Sequence, residues 1–200
     1  MNNNIETIET TLLKGRVKLI QPKHGFHASI DSVFLAAAVN AASCSKILDV
    51  GCGVGSTGLC VTLRKNNISL IGIDIQPELI EIAQENARLN GLEERVSFIC
   101  GDLNDEKSIK NNDFNEVLMN PPYMEAGSHT ASPNKIKATS HGEEISGATL
   151  EDWIKYAHQK LKQGGYLTII HRSDRMDQLI TILTKRRWFG SLGRPSRSRT

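Results

Sequence analysis

The run Ile47-Leu48-Asp49-Val50-Gly51-Cys52-Gly53-Val54-Gly55 constrains this chain more than any other stretch. Four residues of buried-strand character lead without a break into three glycines at alternate positions. A strand that ends this way presents bare backbone where side chains would otherwise stand, so a ligand can approach it closely. The same rhythm then repeats. Residues 70–73 read as a second strand, Pro77 opens a helix that Gly91 closes, residues 96–100 form a third strand and residues 117–119 a fourth. Helices are expected over residues 30–37, 57–65, 150–161 and 174–186, with Ser29 or Asp31 capping the first. An extended run is expected at residues 16–21, and a last strand at residues 166–170 after the Gly164-Gly165 stop. Short β-rich runs alternating with helices imply an α/β fold: an open, mostly parallel sheet with helices on both faces.

Other classes are poorly supported. At 200 residues, with 39% hydrophobic and 23% charged residues, the chain fits one globular domain. The longest apolar run, residues 33–39, is far short of the ~18 residues a membrane span needs. MNNNIETIET lacks the pattern of a secretory or transit peptide, so a cytoplasmic location is expected. Cys44, Cys52, Cys60 and Cys100 form no CxxC pair and have no histidine at ligand spacing, so reduced thiols and no metal site are expected.

Acidic residues follow the strands. Asp49 lies two positions before Gly51, Asp74 ends the second strand, and Asp102 follows the third in Ile99-Cys100-Gly101-Asp102. Ligands of open α/β sheets sit at the carboxyl ends of the strands, which makes three such acids more than scattered surface charge. Two chemistries compete for the loop. Gly53-Val54-Gly55-Ser56-Thr57-Gly58 satisfies the GxGxxG pattern of dinucleotide folds, in which a helix N-terminus faces a pyrophosphate. The alternative is the loop of S-adenosylmethionine (SAM) enzymes, where a cationic ligand favours an acid such as Asp49. Asp74 would accept ribose hydroxyls in either case. Asp102, placed to accept an adenine amino group, tips the reading to SAM, with a dehydrogenase as the distant alternative.

Directly after the fourth strand stands Asn120-Pro121-Pro122-Tyr123. The lone pair of an exocyclic amine on a base, or of an amide, is delocalised into a π-system. The Asn120 side-chain carbonyl and the Pro121 main-chain carbonyl could each accept one N–H and draw the nitrogen toward tetrahedral geometry. Pro121 and Pro122 would hold both acceptors still while Tyr123 stacks on the substrate plane. Such a site works by positioning and preorganised electrostatics, without metal or covalent nucleophile.

DVGCGVG, Asp74, Gly101-Asp102 and NPPY, in this order and spacing, resemble the class I SAM-dependent amino methyltransferases of Rossmann-like fold. The lead-in Leu19-Ile20-Gln21-Pro22, Phe26, Ser29, Asp31 and Leu35-Ala36-Ala37-Ala38-Val39 is similar to the bacterial family that includes tRNA1(Val) adenine N6-methyltransferase. The resemblance spans residues 12–187. It implies cofactor contacts from Asp49, Gly51, Gly53, Gly55, Asp74 and Asp102, with Phe26 and Asp31 also lining the cofactor pocket. It implies acceptor contacts from Asn120, Pro121 and Tyr123, and tRNA, at the adenine next to the anticodon, as the partner. An rRNA guanine, a DNA adenine or a protein glutamine amide would suit the same chemistry, and a SAM-binding remnant without turnover is a further alternative.

Residues 120–149 are rich in Ser, Thr, Gly, Asn and Pro, which suggests a long binding loop. Pro122, Lys135 and Lys137 in it are candidate substrate contacts, the lysines through RNA phosphates. Residues 1–28 read as a segment packed on the core, residues 29–187 as the methyltransferase domain and residues 188–200 as a short tail. Six basic residues and no acidic one lie from Lys185 onward. The family continues past this point into a closing antiparallel hairpin, so the C-terminal strands are expected to be incomplete. His24 and His27 read as a solvated loop pair, Trp153 as core, and Cys52 as a small side chain in a tight turn.

Overall fold

A computed structural model describes residues 5–25, 27–105, 107–110, 112–122 and 148–185. Five parallel strands form the central sheet: β3 (Lys46–Val50), β4 (Ser69–Asp74), β5 (Val96–Cys100), β6 (Phe114–Met119) and β7 (Leu161–Ile169), in the order β5-β4-β3-β6-β7. The glycine-loop strand β3 is therefore central. The chain reverses its direction of travel across the sheet between β3 and β6, and that switch point is where an open α/β sheet leaves a crevice.

Period-two alternation divides each strand between two cores. Ile47 of β3 and Leu70 of β4 face a layer built from α1 (Ile30–Ala38), α2 (Ser56–Arg64) and α3 (Pro77–Leu89). Leu48, Val50, Val117 and Met119 face α4 (Leu150–Lys160) and α5 (Met176–Lys185). With both faces covered, the strands are apolar nearly throughout, as a parallel sheet requires. This is a Rossmann-like sheet with helices on both faces, as expected. Residues 186–200, on which the reading of the C-terminal strands falls, lie outside the described residues.

Three details differ from expectation. The extended run near residue 16 is the second strand of an antiparallel hairpin, β1 (Thr7–Leu12) with β2 (Val17–Pro22). Its turn puts Leu13 at φ 50° and Lys14 at φ 56°, so no Asn-Gly pair marks it in the sequence. Asn86 of α3, fully buried, anchors the hairpin: its Oδ1 accepts from the Ile20 N–H at 2.6 Å and its Nδ2 donates to the Ile20 carbonyl at 2.8 Å. The last strand begins at Leu161 rather than Tyr166, because Gly164 (φ 74°) sits in an irregularity of the β6/β7 pairing instead of ending the element. The final helix begins at Met176, preceded by a 3-10 turn at Ser173–Arg175. α4 carries a full capping box between Thr149 and Asp152, which sets its start firmly beside the sheet.

Candidate active site

The carboxyl ends of β3, β4, β5 and β6 open into one cleft with a cavity volume of about 170 Å³, room for far more than a single water. Of the sequence candidates, Asp49, Gly51, Gly53, Asp74, Asp102, Asn120, Pro121 and Pro122 line it. Asp31 and Gly55 do not. Asp31 stands in the first turn of α1, next to Ser32, which does reach the cleft. Gly55 shapes the loop from behind: at φ 81° it starts α2, and a Cβ there would come 2.9 Å from Phe98 Cε1 and closer to Cζ. Phe26, Tyr123, Lys135 and Lys137 lie outside the described residues.

The loop is held by the acids around it. Asp74 Oδ2 accepts the Gly53 N–H at 2.9 Å, and Oδ1 accepts the Gln76 N–H at 3.0 Å as α3 begins. The strand-end acid thus ties β4 to the loop after β3. Burial pushes its carboxyl above the usual range, against the pull of those N–H groups. Asn86 Nδ2 holds the loop from the other side, donating to the Val54 carbonyl at 3.0 Å. One buried amide therefore joins hairpin, α3 and glycine loop. Asp102 Oδ1 accepts the Asn104 N–H at 2.8 Å, and its main-chain carbonyl accepts from Ser108 Oγ at 2.9 Å, which fixes the turn after β5.

Asp49 lies deepest, 2% exposed, on the α2 side of β3. Its Oδ2 has no hydrogen-bond partner. Burial pushes its carboxyl up to about 7, opposed by the Gly58 N–H and reinforced by the charge of Asp74. A buried, underused carboxylate at the base of a cleft is suited to a cationic ligand, since a positive charge there would restore what desolvation removed. Gly53 supplies the cradle: at φ 53° a Cβ would meet nothing within 4 Å, so the residue faces open cleft. The half-partnered acid and the bare loop fit a ligand with a positive centre and a nucleoside end.

Asn120 follows Met119, the last residue of β6, and Met119 pairs with Val50 across the β3/β6 ladder. That register sets Asn120 and Pro121 beside Gly51. Sequence reasoning missed several lining residues, among them Ser32, Ser56, Thr57 and Gln76. Ser56 and Thr57 open the helix that follows the glycine loop, a position that could have signalled them. Ser56 Oγ donates to Ser32 Oγ at 3.0 Å and joins α2 to α1 beneath the cleft. Trp153 belongs to the core, as the sequence suggested, and it also lines the cleft.

His27, by contrast, is exposed and spends Nε2 on the Pro22 carbonyl at 2.8 Å, while Cys52 is buried with its thiol pushed well up by desolvation. Neither has the setting of an acid-base group or a nucleophile. Among the described residues no cluster of His, Cys, Asp or Glu could hold a metal ion, and no helix is long and apolar enough to cross a membrane.

Comparison with known proteins agrees with this geometry. A family model described as "Methyltransferase small domain" matches residues 27–186. A tRNA1(Val) (adenine(37)-N6)-methyltransferase of Porphyromonas gingivalis is 30% identical over 66% of this chain and 51% of its own length. A release factor glutamine methyltransferase of Aliivibrio fischeri is 26% identical over 66% of this chain and 48% of its own. The matched region is thus about half the length of these two relatives. Among solved structures, precorrin-6y C5,15-methyltransferase from Geobacter metallireducens superposes with a TM-score of 0.60 at 13% identity, covering 84% of this chain and 76% of that one. TrmN from Thermus thermophilus gives 0.56 at 18% identity, covering 76% and 40%. These two likenesses show the fold. The strand-end acids, the bare glycine loop and the family match over most of the chain make this protein a member of the methyltransferase small domain family, enzymes that use SAM as cofactor.

Proposed function

We propose that this methyltransferase transfers its methyl group to an exocyclic amine, the adenine N6 of tRNA next to the anticodon. The observation that carries the reading is the opening of the Asn120-Pro121 turn into the same cleft as Asp49, Asp74, Asp102 and the glycine loop. Bound SAM would supply an electrophilic methyl on a sulfonium centre. Asp74 would hold the ribose and Asp102 the adenine of the cofactor, while Asp49 complements its positive end. Gly51, Gly53 and Gly55 keep the backbone low enough for this binding, the first two within the cleft and the third from behind. The Asn120 side chain and the Pro121 carbonyl would accept the two N–H groups of the acceptor amine and turn its lone pair toward the methyl. Pro122 stiffens that turn, and Tyr123 would stack on the base, worth ~1–3 kcal/mol of binding. Lys135 and Lys137 would meet RNA phosphates, and Phe26 would close the cofactor end.

Relatives named for tRNA1(Val) adenine methylation support the tRNA acceptor. The relative named as a release factor glutamine methyltransferase supports a second reading, a protein glutamine amide, whose planar nitrogen poses the same chemical problem. Methyl transfer from labelled SAM to unmodified bacterial tRNA, followed by nucleoside digestion, separates them. Label in N6-methyladenosine is the expected result. Label absent from tRNA but present in a glutamine-containing release-factor peptide would replace the acceptor.

A further inference from the structure

The proposed function gives the indole of Trp153 no part, yet its place in the cleft suits one. Trp153 stands in the first turns of α4, on the opposite face of the sheet from α1–α3, and its ring reaches up to the end of β3. A Cβ on Gly51 would lie 2.8 Å from Trp153 Cζ3 and closer to Cη2, so the ring occupies the space that glycine at this position leaves free. Gly51 has φ 70° as well, which leaves this spot doubly closed to other residues. The residue is 8% exposed, lines the cleft, and its Nε1 has no hydrogen-bond partner. An indole N–H buried without an acceptor costs the fold stability, so a hydrogen bond is not what holds this ring here. Among the described lining residues it is the one aromatic side chain.

Position along the sheet assigns the ring to one end of the ligand. Asp74 and Asp102 mark the β4 and β5 side of the cleft, the nucleoside end. Gly51 and Asn120 mark the β3 and β6 side, where the Val50–Met119 pairing sets them next to each other and where the acceptor amine would be held. The methyl-donor end of the cofactor belongs on that second side, against Trp153. A cation over the face of an aromatic ring is attracted by its quadrupole, whereas the ring edge repels it, and tryptophan attracts most strongly; the role of Trp153 is therefore to present its face to the methyl donor.

We propose that Trp153 is a specificity-determining residue that reads the positive charge of the methyl donor, favouring the sulfonium of SAM over the neutral thioether of S-adenosylhomocysteine. This rests on the cofactor and acceptor placement proposed above. It assigns a consequence to the chemistry, since the ring's attraction to the ligand falls once the methyl has left, and that favours product release.

The test compares equilibrium binding of SAM and S-adenosylhomocysteine by titration calorimetry, for the full chain and for Trp153→Leu. SAM is expected to weaken roughly 3- to 30-fold more than S-adenosylhomocysteine, the range of a partly to fully desolvated cation–π contact. Equal weakening of both ligands would overturn the proposal and leave the ring a packing element. Because leucine could loosen the core, a second measurement leaves shape nearly unchanged. With Trp188→Phe, Trp153 becomes the single tryptophan of a chain that has two, and it can be replaced by 5-fluorotryptophan, whose ring quadrupole is weaker. The ratio of the two dissociation constants is expected to shift toward S-adenosylhomocysteine, and an unchanged ratio would again overturn the proposal. Failure of the wild-type chain to bind either ligand would instead overturn the cofactor placement on which it rests. SAM binding with an unaltered preference in both variants would leave that placement standing and remove only the role of Trp153.

Discussion

Replacing Asp49 by Asn removes the ionisation that burial resists and tests the electrostatics of the cleft floor. The carboxyl is 2% exposed, and its folded value of about 7 stands above the ordinary 3.8 because desolvation outweighs the Gly58 N–H. Between those two pH values the folded chain holds a proton that the unfolded chain has released. The carboxyl's contribution to stability is therefore fully present below pH 3.8 and is lost as pH rises toward 7. Each pH unit in that window is worth ~1.4 kcal/mol, so wild type should lose on the order of 2–3 kcal/mol relative to Asp49→Asn between pH 5 and 7, and little more above it. Urea unfolding of both chains in the absence of ligand, at several pH values from 5 to 8, gives the difference directly. Parallel stability curves would refute the reasoning. Binding should show the opposite preference: a cationic cofactor favours the ionised acid, so wild-type affinity for SAM should rise with pH up to about 7, while the Asn variant binds more weakly and with little pH dependence.

The other predictions concern single contacts. Asn120→Ala should lower methyl transfer by roughly 10²-fold while SAM binding changes little, because the lost carbonyl acts on the acceptor; single-turnover transfer and calorimetry separate the two effects. Gly51→Ala should destabilise the fold by about 1–3 kcal/mol in urea unfolding, since its Cβ would drive into the Trp153 ring from a positive φ. Asn86→Leu should cost about 2–4 kcal/mol by orphaning the Ile20 and Val54 main-chain groups, and it should also weaken SAM binding because the glycine loop loses its rear anchor. Asp74→Ala should reduce SAM binding by more than the loss of a ribose contact alone, since Gly53 and Gln76 lose their shared acceptor as well.

The α/β alternation, the glycine run and the acids at successive strand ends are local patterns, and the sequence by itself determined them. A strand buried on both faces is apolar nearly throughout, and a bare loop must be glycine, so β3 and its loop were legible from nine consecutive residues. The β1–β2 hairpin was not, because Leu13 and Lys14 take up positive φ ahead of Gly15, the one conventional turn residue in the connection, and tertiary anchoring through Asn86 supports the pairing. The start of β7 was hidden for a related reason: Gly164 reads as a stop, and pairing with β6 carries the strand across it. Asp49, Asp74 and Asp102 could be named from the sequence, but their different tasks could not. Burial leaves one with an unpartnered Oδ2 and a raised carboxyl, hydrogen bonding makes another the tie of the loop, and the third spends part of its carboxylate on its own turn. Trp153 shows the same division. Its place on the buried face of α4 marks it as core, whereas its position against Gly51 depends on the strand order β3-β6-β7 and on α4 lying on the far face of the sheet from α1–α3. Residue type and spacing fix which elements form and which chemistry they could carry, because those preferences act over a few bonds. Desolvation, and the meeting of residues about a hundred positions apart, arise only when the sheet closes over its two cores.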